Sequence, residues 1–371
     1  MRATQNDVAV IGGGVMGLSV GYNLAKKGLN TIILEGEYLN AGSTGRNMGV
    51  LKERIPHGVD KVSEDLVQLA VKGINLHSEL PSKLGYNTFF RRSGCLQIAK
   101  DESELKDLQA YHIQYQKLGL KDRIMRPETI EKRWPYINSS NLIGGFYNSR
   151  EAIVHPFAIT WAYLESIKKL GGRVEKQNRA KEIRKTASGF KITAERGEHK
   201  AENVVIACGT HSSELPEQLG FKIPLIPWRK EILISEPVRP FLSPVLERLS
   251  ESYQVAQTMR GEILGTMGFE PPSFDLSECT SEFLYRFANE TVELIPSFRH
   301  LNVIRQWVGI CDATPDFKPI VGQLDDGFYI TCGHYDYGIT LAPIVGKLLA
   351  ENIVSGNQSS LLKAFDPHRF Y

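Results

Sequence analysis

Three glycines and an acid near the start of the chain carry the most specific chemistry in the sequence. Gly12, Gly14 and Gly17 satisfy G-x-G-x-x-G within Gly12-Gly13-Gly14-Val15-Met16-Gly17, and Glu35 closes the next apolar run. This spacing suits the pyrophosphate and ribose of a dinucleotide. Gly12 permits a tight turn, Gly14 lets backbone approach the pyrophosphate, and Gly17 lets helix and strand pack closely. The backbone around Val15 and Met16, at a helix N-terminus, offers N–H donors and partial positive charge to phosphate oxygens. A carboxylate at Glu35 accepts from ribose hydroxyls and repels a 2′-phosphate, which disfavours NADP.

The flanking elements place these groups. Val8-Ala9-Val10-Ile11 predicts a strand buried on both faces. Leu18, Tyr22, Leu24 and Ala25 follow a helical apolar pattern that stops at Lys26-Lys27-Gly28, and Thr31-Ile32-Ile33-Leu34 delivers Glu35 on a second strand. Strand, glycines, helix, strand and acid thus appear in the order the motif requires. To this point FAD and NAD remain alternatives.

The bulk composition sets limits. At 371 residues two domains are expected. Basic and acidic residues number 44 and 42, so no electrostatic case exists for nucleic acid. Cys95, Cys208, Cys279, Cys311 and Cys332 are scattered without a C-x-x-C pair, which suggests neither a metal site nor a disulfide framework. The sequence predicts no transmembrane segment and no leader peptide, and a cytoplasmic setting is the expectation.

After Glu35, Gly42-Ser43-Thr44-Gly45-Arg46-Asn47-Met48-Gly49-Val50-Leu51 is rich in small and hydrogen-bonding residues, where an NAD domain would run into an ordinary helix. Here the sequence resembles the D-amino-acid-oxidase/sarcosine-oxidase-like family of FAD oxidoreductases. It is most similar to the β subunits of dye-linked L-proline (hydroxyproline) dehydrogenases. Val204-Val205-Ile206-Ala207-Cys208-Gly209, Trp307 to Asp316 and Gly333 to Pro343 resemble further motifs of that family.

The resemblance implies an α/β architecture: a Rossmann-like FAD-binding domain over 1–82, 147–222 and 305–371, and an α+β substrate domain over 83–146 and 223–304. Lys230–Ile234 and Glu262–Leu264 would be strands of an antiparallel sheet roofing the flavin. It also implies that Ser43, Thr44, Arg46, Asn47, Gly49, Val50 and Leu51 continue the flavin site. Ala180 would touch adenine and Gly209 would lie near the pyrophosphate. Gly333, Gly338, Ile339 and Thr340 would open a helix toward the flavin's polar edge. FAD would be noncovalent, because Gly309 stands where sarcosine oxidase has its tethering cysteine.

Departures from the family pattern bear on substrate and acceptor. Lys52 stands where relatives carry an arginine that anchors the substrate carboxylate; a lysine supplies the charge without the bidentate fork. Thr340 replaces a second, lysine anchor. Ile263 replaces a lysine that promotes oxygen reduction, which leans toward another electron acceptor. Arg46, Lys230 and Arg260 are the alternative cations. His155 lies one place from a histidine that holds FMN in heteromeric sarcosine oxidases, leaving FMN at a subunit interface as an option.

The reading is an FAD-dependent amino- or imino-acid dehydrogenase acting on a proline- or hydroxyproline-like substrate, with other subunits of a dehydrogenase complex as partners. The alternatives are an oxygen-using sarcosine- or glycine-type oxidase and a flavoprotein scaffold subunit with a degenerate pocket.

Overall fold

A computed structural model of the protein describes residues 5–54, 62–268, 270, 272–276 and 279–371. Strand β1 (Gln5–Ile11) leads through the glycine turn into helix α1 (Val15–Lys26) and returns as β2 (Thr31–Leu34). The two strands are parallel, with Val8 opposite Thr31 and Ile11 opposite Leu34. On its other side β1 pairs in parallel with β3 (Gly197–Ile206). The sheet has eight strands, continuing through Phe328–Cys332 to Ile320–Asp325 on one flank and to Arg173–Glu175 on the other.

Both faces of this sheet are covered, which is why β1 reads as a continuous apolar run. Val8 and Val10 turn toward α1, α2 (Glu64–Leu84), α3 (Pro156–Lys169) and α4 (Gly338–Ser355). Ala9 and Ile11 turn the opposite way, against Ile183, Phe190 and Ile192 of an antiparallel hairpin. Small residues let the helices approach: a Cβ on Gly73 of α2 would sit 2.2 Å from the Thr340 carbonyl oxygen of α4. Among the described residues α4 is the one helix long and apolar enough to cross a membrane. Its apolar side chains, Leu341, Val345 and Leu349 among them, are instead buried in this core.

The second sheet also has eight strands; at one edge lies β6 (Val303–Ala313), followed inward by β4 (Ile226–Pro237) and β5 (Glu262–Thr266). Its pairings are antiparallel except that Val245–Arg248 runs parallel to Cys95–Ala99. β6 pairs with β4 from Ala313 opposite Ile226 to Val303 opposite Ser235. The sequence reading grouped 305–371 with the dinucleotide-binding unit. Strand pairing instead keeps β6 in the second sheet, and the chain rejoins the first sheet at Ile320.

Alternation along β5 corrects a second expectation. Ile263 packs with Leu233, Phe283 and Phe287 on the outer face, and a Cβ on Gly265 would strike the Phe287 ring. Leu264 packs on the inner face with Met48, Val50 and Ile232, toward the first sheet. Since successive strand residues face opposite ways, Ile263 points away from the space between the sheets. Its identity therefore says nothing about a charge in that space.

Candidate active site

One cavity of about 680 Å³ runs between the sheets, within the roughly 300–1,000 Å³ usual for cofactor and ligand sites. Its outer end is the glycine turn. Gly12 has φ +110°, and a Cβ there would lie 2.3 Å from the Ala207 carbonyl oxygen. Gly17 does not line the cavity; a Cβ on it would lie 2.0 Å from the Gly12 oxygen, so its role is to seat α1 under the turn. The first turn of α1 carries no acid and no side-chain cap, leaving its positive end toward the cavity. Thr44 Oγ1 accepts from the Val15 N–H at 3.1 Å. Glu35 lines the same end while accepting from the N–H groups of Gly13 (2.7 Å) and Glu37 (2.8 Å). Ala180 and Gly209 also face this end, and Asn40 Oδ1 is buried there without a hydrogen-bond partner.

The loop after Glu35 forms the middle wall. Ser43, Thr44, Arg46, Asn47, Gly49 and Val50 all line it, yet several side chains are already engaged with backbone. Ser43 Oγ donates to the Ile310 carbonyl at 2.5 Å, and Arg46 donates to the carbonyls of Ala41 (2.9 Å) and Val308 (3.0 Å). Asn47 donates to the Ser43 and Thr44 carbonyls and accepts from the Gly49 N–H at 2.7 Å. These side chains shape the loop and stitch it to β6, and they leave chiefly its backbone for a ligand. Leu51 is fully buried among the helices and does not line the cavity. Gly309 does; a Cβ there would crowd the Arg46 carbonyl oxygen at 2.9 Å.

At the inner end four charges meet. Lys52 Nζ lies 2.8 Å from Glu247 Oε1 and 4.0 Å from Asp336 Oδ2; Lys230 Nζ reaches Asp336 Oδ1 and Oδ2 at 3.0 and 2.9 Å. Gln97 and Gln254 donate to Glu247 at 2.7 and 3.2 Å. Burial raises the Asp336 and Glu247 carboxyls, but the neighbouring ammoniums outweigh it and hold both below the ordinary value. Burial lowers the lysines, and their carboxylate partners more than reverse this. Lys52 is thus a buried, paired cation and not the free anchor its position suggested.

Thr340 does not line the cavity: it is fully buried, and its Oγ1 accepts from the Lys52 N–H at 3.2 Å, fixing the backbone that carries Lys52. Gly333, at φ +71°, lies behind the wall and donates its N–H to Asp312 Oδ2 at 2.6 Å. Gly338 and Ile339 do face the cavity, at the uncapped N-terminus of α4. Of the alternative cations, Arg260 is exposed and pairs with Glu262. His155 caps α3, its Nδ1 accepting from the Ala158 N–H at 3.4 Å. Cys311 lines the cavity as a thiol that burial pushes up to about 12, donating to Asp336 at 3.7 Å.

Sequence reasoning missed Glu247, Asp312 and Gln254. Glu247 sits in Val245–Arg248, a short strand where nothing local marks the acid as inward-facing. Asp336 lies within the Gly333 to Pro343 stretch, but its partners Lys52 and Lys230 come from distant elements.

A bare helix terminus beside a glycine turn, a ribose-side acid and a long cavity under an antiparallel roof define a dinucleotide-binding oxidoreductase. The chain belongs to the FAD dependent oxidoreductase family (DAO), whose profile matches residues 7–352. It is 26% identical to the sarcosine oxidase subunit beta of Rhodobacter capsulatus, over 98% of this chain and 88% of that protein. It is 24% identical to human mitochondrial dimethylglycine dehydrogenase, again over 98% of this chain but only 44% of that protein's length. L-proline dehydrogenase from P. horikoshii superimposes with a TM-score of 0.90 at 25% identity, covering 99% and 98% of the two chains. The residues present fit FAD: Gly12 to Met16 for the pyrophosphate, Glu35 for the ribose, and the unpartnered Asn40 oxygen beside them. The protein is an FAD-dependent oxidoreductase of the amino-acid type.

Proposed function

We propose that the protein oxidises a small amino or imino acid, proline- or hydroxyproline-like, and passes the electrons to an acceptor other than dioxygen. The observation that carries this reading is the inner chamber. Its polar groups converge at the end of the cavity away from Glu35: Lys230 and Gln254 from the second sheet, Lys52 from the chain just after Val50–Leu51, and Asp336 from the turn before α4. The similarity in fold and sequence to an L-proline dehydrogenase supports the substrate class. FAD, when bound, supplies a hydride acceptor for the carbon next to nitrogen. The chain's own residues bind, orient and exclude water: the roof strands wall off the chamber, and the lysines offer charge to a carboxylate.

The likeness to the beta subunit of sarcosine oxidase supports a place among other subunits. The five cysteines are all free, which accords with a reducing, cytoplasmic setting.

One observation favours the oxygen-using alternative. With Ile263 turned outward, the absence of a lysine there no longer argues against an oxidase, and Lys52 and Lys230 place positive charge inside the cavity. Anaerobic bleaching of the purified yellow protein by a panel of amino and imino acids tests the substrate class. Admitting air afterwards tests the acceptor: reoxidation, with its peroxide, should be slow compared with reoxidation by an added artificial electron acceptor. Rapid peroxide formation would sink the dehydrogenase reading, and no bleaching by any amine would leave a scaffold role.

A further inference from the structure

We infer that the inner chamber selects a net-neutral zwitterion bearing one carboxylate, and that Glu247 and Asp336 are the specificity-determining residues that reject dicarboxylic amino acids. This rests on the amino-acid reading of the same site. The chamber holds two ammoniums, Lys52 and Lys230, against two carboxylates, Glu247 and Asp336, joined by contacts of 2.8 to 4.0 Å. The basic groups packed around these four are themselves paired, and Asp312, which also lines the cavity, can add only negative charge. Arg54 is paired with Glu151 at 2.9 Å, Arg248 with Glu104 at 2.8 Å and Glu290 at 3.5 Å, and the Cys311 thiol is neutral.

A zwitterion entering this chamber changes no net charge. Its carboxylate is drawn to the lysines and its nitrogen to the carboxylates, so each group exchanges one partner for another. A second substrate carboxylate would be a buried charge without a partner, facing two like charges at close range. The chamber offers no escape for it. Beyond the four charges the space narrows to about 20 Å³ beside Arg248, Leu249 and Ser252, room for roughly one water.

The test uses the purified flavoprotein and pairs of probes: proline and N-methylglycine against N-methylaspartate and iminodiacetate. Binding is read two ways, from the concentration dependence of anaerobic bleaching and from the ligand-induced shift in thermal midpoint. The monocarboxylic probes should bind at least about tenfold more tightly in the wild type. Glu247→Gln, which frees one lysine, should shrink that ratio by about tenfold, and Asp336→Asn should act in the same direction. The two variants remove different carboxylates, so a folding failure in one leaves the other to decide. Equal or tighter binding of the dicarboxylic probes by the wild type, or a ratio unmoved in the folded variant, overturns the inference alone. Failure of every probe to bleach the flavin or shift the midpoint overturns the amino-acid reading as well.

Discussion

The N–H of Gly13 donates to Glu35 Oε2 across 2.7 Å, so the acid that faces the ribose end also braces the glycine turn. The other carboxylate oxygen accepts from Glu37 at 2.8 Å. Glu35→Ala should therefore weaken FAD retention on two counts, by losing ribose acceptors and by loosening the turn. Hydrogen bonds to a charged group contribute about 1.5–3 kcal/mol each, so the dissociation constant should rise at least roughly tenfold. An unchanged constant in a flavin-fluorescence titration would show that Glu35 does not face the ribose.

Gly12→Ala should abolish flavin binding and lower stability together. Its φ of +110° and the 2.3 Å approach to the Ala207 oxygen leave no place for a methyl group. Strain of this kind costs about 1–3 kcal/mol from the backbone alone. A colourless variant with a reduced thermal midpoint is expected; a yellow protein of normal midpoint would show that the turn relaxes freely.

Lys52→Met leaves Glu247 buried without its ammonium, held by the amides of Gln97 and Gln254 and the Cys95 thiol. Breaking a buried pair from one side costs about 3–5 kcal/mol. The variant should unfold at clearly lower denaturant, and Lys52→Met with Glu247→Leu should regain much of the loss. Flavin reduction should stay impaired in both. If the single variant keeps wild-type stability and reduces normally at every substrate concentration, Lys52 has neither role.

Acid precipitation should release all the yellow colour. Gly309 offers no nucleophile, and the Cys311 thiol, pushed up to about 12 by burial, remains protonated at neutral pH. Colour retained in the pellet would redirect attention to Cys311 or His155.

Asp312 gives the pH dependence a definite sign. Burial pushes its carboxyl up to about 6, although the Gly333 N–H holds it at 2.6 Å. The folded state thus favours the protonated form. The contribution to stability is full below the ordinary value near 3.9 and is lost as pH rises through about 6, by at most about 3 kcal/mol. Asp312→Asn should flatten that part of the stability profile. A wild-type profile that parallels the variant between about pH 4 and 7 would contradict the assignment.

The parts of the site legible in the sequence are those set by local rules. The turn at Gly12 to Gly17 and the delivery of Glu35 follow from backbone conformation and strand–helix–strand order over a short stretch, and they appear where the spacing put them. The inner chamber was not legible, because it is assembled across the fold: Lys52 meets Glu247 from the second sheet and Asp336 from the turn before α4. Ile263 shows the same limit at smaller scale. A strand was recognisable there, but which face looked inward depended on a register that only pairing with β4 fixes. Ser43, Arg46 and Asn47 lie in the expected place, yet their hydrogen bonds go to backbone that no local pattern announces.

The stitching of residues 43–46 to β6 also bears on how the holoprotein comes into being. Ser43 and Arg46 reach the carbonyls of Ile310 and Val308, and Trp307 Nε1 reaches back to the Arg46 carbonyl at 3.3 Å. The loop under the cavity and the roof above it are therefore fastened by groups some 260 positions apart in sequence. A seam of this kind closes only when β6, in the last fifth of the chain, has arrived. Until then the cradle lies open, and afterwards a bulky dinucleotide must part those fastenings to enter or leave. Biogenesis would accordingly favour capture of the cofactor during maturation, and exchange with free dinucleotide in the finished protein should be slow compared with turnover.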